Sequence, residues 1–222
     1  QNELYAARVL DLGGINVHVH GTMKWDNAVI KDSVEGADAL AKDLGIDPEK
    51  PLIVAGSTTP EEHTLFMNAT PEGSQLLCAP RRPEGFDDAA KTLAPCTRRT
   101  EPNTETTMQF LLDTIGELDM AYAIADVVVI GRSFSPYHGS DPTQSVALGK
   151  PTIIGPNVSD FTEMVATLVD GGGMIQCTSD ELQTTLAGLL EKPSESKQLA
   201  IAGRKIIESQ QGATQSYVDL IV

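Results

Sequence analysis

The residues with most to offer chemically stand in "HGSDPTQSVALGKPTIIGPN", His138 to Asn157. Asp141 can cap a helix, Pro142 suits its first turn, and Gln144 stands where a capping-box side chain reaches back. The unpaired N–H groups and partial positive charge of such a helix start suit an anion, above all a phosphate. An ordinary helix–strand joint would use the same residues, so a site requires other groups to converge there. Arg81 and Arg82 can grip a phosphate bidentately, or serve as a solvated surface pair. Ser57, Thr58 and Ser133 can offer hydroxyls beside backbone N–H groups. Together these types suggest recognition of a phosphate or a nucleotide.

Other chemistries find less support. No GxGxxG follows a strand and no GxxxxGK[ST] occurs. "GGG" at 171–173 precedes a strand and reads as a helix stop. Of the four histidines, His18 and His20 share one face of a predicted strand, a structural placement, while His138 lies in the candidate region. No His, Cys and carboxylate cluster suggests a metal, so no metal or other cofactor is expected. Cys78, Cys96 and Cys177 are odd in number and lack metal-ligand spacing; Cys78 and Cys177 read as buried thiols of a reducing compartment.

The formal net charge of -15 argues against a nucleic-acid partner, whose phosphates need clustered Lys and Arg, and against docking on an anionic membrane. No run approaches the roughly 20 apolar residues of a membrane span, and no signal peptide opens the chain. The 222 residues, 41% hydrophobic, suit one domain with a sizeable core. The chain lacks a starting Met, so a fragment of a longer protein is expected.

The elements that must position these residues alternate. "ELYAARVLDLG" has helical spacing and leads to a strand, "INVHVHG". Helical segments then precede "PLIVAGS", "QLLCAP" and "CTRRT"; "TMQFLLD" precedes the helix "IGELDMAYAIA" and the strand "DVVVIG"; helical segments precede "PTIIG" and "MIQC", and helices near 195–211 and 213–222 close the chain. Continuous apolar strands alternating with helices predict a Rossmann-like three-layer α/β/α fold with a parallel sheet. Thr59 with Glu62, Thr114 with Glu117, Asp160 with Glu163 and Thr178 with Glu181 read as structural capping boxes. "RRTEPNTETT" (98–107) reads as an exposed loop. In such a sheet ligands bind beyond the carboxyl ends of the strands. The turns there are 56–60, 79–85, 131–142 and 155–160, rich in Gly, Ser, Thr and Pro, and two of them carry arginine.

"PLIVAGSTTPEE", "LLCAPRRPEGF", "DTIGELDMAYAIADVVVIGRSF" and "ALGKPTIIGP" resemble the C-terminal half of the 3-deoxy-D-manno-octulosonic acid (Kdo) transferases. "QNELYAARVLDLGG" and "HGTMKWD" resemble the entry into that half. The resemblance runs nearly the whole length. It implies one lobe of a GT-B glycosyltransferase, residues 1–222 forming the donor-nucleotide domain, with the acceptor and the catalytic base in an absent N-terminal domain. The implied reaction is inverting, metal-independent transfer of Kdo from CMP-Kdo to a lipid A precursor in lipopolysaccharide biosynthesis. The implied location is cytoplasmic, with the parent at the cytoplasmic face of the inner membrane.

By resemblance, the nucleotide contacts fall on Gly56, Ser57, Thr58, Arg81, Gly131, Ser133, Gly139, Asp141 and Gln144. No catalytic residue is assigned to this chain. Five positions depart from the family pattern: Gln144 replaces a glutamate expected to hold the ribose hydroxyls, Thr59, Arg82 and Ser140 replace histidines, and Arg132 replaces a glycine. These departures leave two alternatives, a degenerate homologue acting as a binding module and a GT-B enzyme using another nucleotide sugar, such as a UDP-sugar.

Overall fold

A computed structural model describes residues 3–101 and 107–221. The chain runs α1 (Glu3–Asp11), α2 (Ala37–Leu44), β1 (Leu52–Thr58), α3 (Pro60–Ala69), β2 (Gln75–Pro80), α4 (Phe86–Thr92), β3 (Cys96–Arg98) and β4 (Gln109–Leu111). It continues α5 (Leu118–Ile124), β5 (Val127–Ile130), α6 (Thr143–Ala147), β6 (Thr152–Ile154), α7 (Thr162–Asp170) and β7 (Ile175–Gln176). Three helices follow: α8 (Leu182–Glu191), α9 (Pro193–Gln210) and α10 (Ala213–Ile221).

All seven strands pair in parallel, in the order β3-β4-β2-β1-β5-β6-β7. The chain leaves β1 toward one edge and returns to its other side at β5. That reversal opens a crevice between their carboxyl ends, the place where doubly wound sheets receive ligands.

Successive side chains of a strand point to opposite faces, and here both faces are covered. Leu52, Val54, Val128 and Ile130 pack with α2, α5, α6 and α7. Ile53, Ala55, Val127 and Val129 pack on the other side with α3, α4 and α8. Every residue of β1 and β5 is buried, so an alternating polar pattern was never available to them. Fully burying one such Val, Ile or Leu stabilises by about 1.5–3 kcal/mol. The sheet is therefore a stiff base for the turns at its rim.

Several expectations fail locally, among them the capping boxes at Thr114 and Asp160, since α5 has Glu117 and α7 has Phe161 at the N-cap. "INVHVHG" (15–21) forms no strand, although the His18 and His20 rings stack with centroids 6.0 Å apart, and His20 meets Tyr217 edge-on. In the segment expected as a loop, Arg98 belongs to β3 and donates from Nε to Asp113 Oδ2 at 2.7 Å, while Arg99 pairs with Glu117 and Asp43. Residues 102–106 of that segment lie outside the described residues. Thr178 does donate to Glu181, at 2.8 Å from both N and Oγ1, but α8 starts only at Leu182.

Candidate functional site

The four glycine- and serine-rich turns meet at one rim, stitched by the backbone. Arg81 N donates to Thr58 O at 3.0 Å and Gly131 N to Gly56 O at 2.8 Å. Gly139 N donates to Arg132 O at 3.1 Å and Asn157 N to Ser133 O at 2.9 Å. Glycine is required where strand ends come closest: a Cβ on Gly131 would lie 2.6 Å from Ser57 O. Beside it, Ser57 (φ 57°) and Arg132 (φ 60°) hold the left-handed conformation at neighbouring strand ends. Each costs on the order of 1–3 kcal/mol, which the surrounding bonds must offset.

The group that fixes this crevice is Glu62, in the first turn of α3 and only 1% exposed. Its carboxylate accepts from Thr59 N at 3.0 Å, completing a capping box, and also from Arg132 N at 2.8 Å and Phe134 N at 3.0 Å. A buried carboxylate thus neutralises amides that would otherwise face the crevice, and they are not free for a phosphate.

The other predicted residues divide by where their side chains go. Thr58 Oγ1 shares a 2.8 Å hydrogen bond with His63 Nε2, both buried. Ser133 is fully buried; its Oγ donates to Ile130 O at 2.5 Å and accepts from Gly155 N at 2.7 Å. Gly56, Gly131 and Gly139 set backbone approach, Gly139 at φ 81° with Asn157 O 2.9 Å from an added Cβ. Arg81 and Arg82 are exposed, and the Arg81 guanidinium makes no hydrogen bond or ion pair among the described residues. Ser57 Oγ likewise makes no hydrogen bond among the described residues.

Asp141 stands one residue before the N-cap of α6 rather than at it, and accepts at Oδ1 from Thr143 N at 2.9 Å and Thr143 Oγ1 at 2.7 Å. The helix itself is a correction: it spans only Thr143–Ala147, with Pro142 at its N-cap, and Asp141 already takes its first amide. Little more than one turn carries little dipole, so anion binding there falls to side chains. Gln144 is exposed and does not reach back. It lines a cavity of about 240 Å³ with Asp141, Asp119 and Lys31. A larger hollow of about 660 Å³ lies at the opposite, amino-terminal edge of the sheet beside Pro51, Asp126 and Pro151, away from every candidate residue.

Tyr122 of α5 joins the two parts of the rim. Its ring fills the space beside Gly56, and burial holds its phenol well above the ordinary value; Asp119 and Asp141 push it further up and Arg81 opposes them. Among the described residues, no group of three or more His, Cys, Asp or Glu side chains is placed to hold a metal ion.

No protein-family model matches the chain. Along its whole length it is 28% identical to the 3-deoxy-D-manno-octulosonic acid transferase of Bordetella pertussis, over 55% of that protein. It is also 28% identical, over 92% of its length, to the transferase of the same name from Haemophilus influenzae, covering 51% of that protein. The chain is a relative of the Kdo transferases. It spans about half the length of these curated relatives. Among solved structures, the C-terminal CMP-Kdo binding domain of WaaA from Acinetobacter baumannii superposes with a TM-score of 0.71 at 21% identity, over 78% of this chain and 96% of that domain. Anabaena HepE in complex with UDP-glucose gives a TM-score of 0.63 at 14% identity, over 86% of this chain and 54% of that one. The fold is that of one lobe of a GT-B glycosyltransferase.

The five departures from the Kdo transferase pattern sit differently in this lobe. Thr59 Oγ1 is tied to Glu62 and to Ser135 Oγ, both at 3.2 Å. Arg132 lays its guanidinium carbon 5.9 Å from the Tyr137 ring centroid. Ser140 is 8% exposed and its Oγ has no partner, while Arg82 and Gln144 are exposed. The sequence reading treated Glu62 as a cap alone and did not single out Tyr122 or Asp119. Nothing local marks those two, because their roles depend on which turns α5 meets in space.

Proposed function

We propose that this chain is the donor-nucleotide lobe of a Kdo-transferase-like glycosyltransferase, binding CMP-Kdo at the carboxyl rim of its sheet. The observation that carries the reading is the Arg81 guanidinium, unpaired at a rim where the turns after β1, β2, β5 and β6 are bonded together, in a chain related to Kdo transferases along its full length. Breaking the donor's glycosidic bond leaves negative charge on the CMP phosphate. Arg81, with the Ser57 hydroxyl beside it in sequence order of the rim turns, would stabilise that charge as it develops. On this reading the parent protein carries the base and the lipid A precursor on another domain, works at the cytoplasmic face of the inner membrane, and needs no cofactor besides the donor.

Calorimetric titration of the chain with CMP and UDP tests it. CMP should bind weakly and more tightly than UDP, and Arg81→Ala should weaken CMP about ten-fold or more. Absence of CMP binding would count decisively against the donor-lobe reading, and a preference for UDP would move the chain to UDP-sugar chemistry. The uncharged, exposed Gln144 favours a second reading, a homologue that binds but does not transfer. Kdo transfer by the full-length protein would eliminate it.

A further inference from the structure

The hollow of about 660 Å³ at the amino-terminal edge of the sheet has a charge pattern unlike the rest of the chain. Asp and Glu outnumber Lys and Arg by 31 to 16 overall, yet Lys50, Lys150, Lys197 and Arg204 line the hollow against three acids. Two of those acids are already engaged: Asp32 holds Arg204 Nη1 at 2.7 Å, and Asp126 accepts from Leu52 N at 2.8 Å. Glu49, the third, is exposed, and Lys50 pairs with Asp47 at 3.3 Å. Lys150 and Lys197 have no acid at ion-pair distance among the described residues. Lys150 Nζ donates to Ala125 O at 3.0 Å, which leaves two of its three N–H groups free. Burial pulls its pKa below the ordinary value, with Asp126 opposing, so an anion beside it would restore lost solvation.

A second observation points into the same space. Ser196 is 7% exposed and lines the hollow, and its hydroxyl has no hydrogen-bond partner among the described residues. That oxygen is not sealed off, unlike the buried hydroxyl of Ser140. A helical serine commonly returns its hydroxyl to the preceding turn, as Ser209 of the same helix does to Ile206 O at 2.8 Å. Ser196 does not. The helix, α9, is 18 residues long and starts at Pro193 on this wall, so the positive end of its dipole stands there as well. Leu189, Leu190 and the half-exposed Ile201 supply an apolar side.

We propose that this hollow binds a small, water-soluble organic phosphate monoester, its head held by Lys150, Lys197 and the Ser196 hydroxyl and its apolar body laid against Leu189, Leu190 and Ile201. Two ammonium groups without acids match a head that carries close to two negative charges at neutral pH. The volume lies in the range of small-molecule sites. None of these residues belongs to the carboxyl rim, so the inference stands apart from the donor-nucleotide reading.

Amide NMR titrations of the chain with phenyl phosphate, inorganic phosphate and phenol test it. Phenyl phosphate should shift the signals of Lys150, Ser196 and Lys197. It should bind about ten-fold or more tightly than inorganic phosphate or phenol, each of which offers only part of the contacts. Ser196→Ala should weaken it several-fold and Lys197→Glu about ten-fold or more. Arg81→Ala, at the opposite edge, should leave it unchanged. Both hollow variants should melt close to the wild type, because the Ser196 hydroxyl makes no internal bond and Lys197 is exposed. Shifts confined to the rim around Arg81, an affinity unmoved by both variants, or inorganic phosphate or phenol binding as tightly as phenyl phosphate would overturn the proposal.

Discussion

Glu62 Oε2 lies 2.8 Å from the backbone nitrogen of Arg132, a residue in the left-handed conformation at the end of a different strand. That bond and its neighbour to Phe134 N clamp the β5 turn onto the start of α3. Glu62→Ala would leave three amides without their acceptor, at about 1–3 kcal/mol for each that water cannot reach. The expected loss is about 3 kcal/mol or more by urea denaturation. Glu62→Gln, which keeps one acceptor oxygen but aims an NH₂ at amide donors, should fall between. A loss below 1 kcal/mol for Glu62→Ala would show that the clamp is not needed.

Gly56 and Tyr122 form a second constraint. A Cβ on Gly56 would stand 2.0 Å from the phenol oxygen and 2.5 Å from Cζ. Gly56→Ala should therefore destabilise by about 1–3 kcal/mol or more through overpacking. Because the obstacle is a side chain, the double variant Gly56→Ala/Tyr122→Leu should lose less than the sum of the single losses. At Gly131 the obstacle is backbone, and no second substitution should relieve Gly131→Ala. Melting temperatures of these variants check both statements.

The layers were legible because β1, β2, β5 and β6 are short apolar runs that a doubly covered sheet requires, and because "STTPEE" spells a helix start in residue types alone. The rim was legible as a set of turns, since Gly and Ser mark the carboxyl ends of strands. What each side chain does there was not. Ser133 and Thr58 look like ligand-facing hydroxyls, yet they bond inward to Gly155 N and His63, partners 22 and 5 residues away. Glu62 reaches 70 residues along the chain to Arg132. Long-range hydrogen bonds of this kind leave no periodicity to read.

His63 gives the fold an acid limit. Fully buried, it is pushed from the ordinary 6.5 down to about 4 by desolvation, with Glu61 opposing weakly. Between those values the unfolded chain binds the proton that folded His63 refuses, so stability is complete above about pH 6.5 and falls as pH drops toward 4. At about 1.4 kcal/mol per unit, the loss approaches roughly 3 kcal/mol. His63→Gln, able to keep a bond to Thr58 without titrating, should flatten the profile of unfolding free energy between pH 7 and 4.5. An unchanged slope would remove His63 as its cause.

Gln144 shares its cavity with Asp119 and Asp141, so a carboxylate at position 144 would be the third in one small space. Restoring the family's glutamate by Gln144→Glu should therefore weaken CMP binding several-fold at low ionic strength, since like charges a few ångströms apart repel by about 1 kcal/mol or more near a protein surface. Salt should shrink the difference, because at 0.5 M screening acts over only a few ångströms. The same substitution should also lower the melting temperature slightly at pH 7, and less so at pH 4.5, where one carboxylate can take a proton. If Gln144→Glu instead tightens CMP binding and the gain is absent with 2′-dCMP, residue 144 is an acceptor of the ribose hydroxyls and the repulsion argument fails.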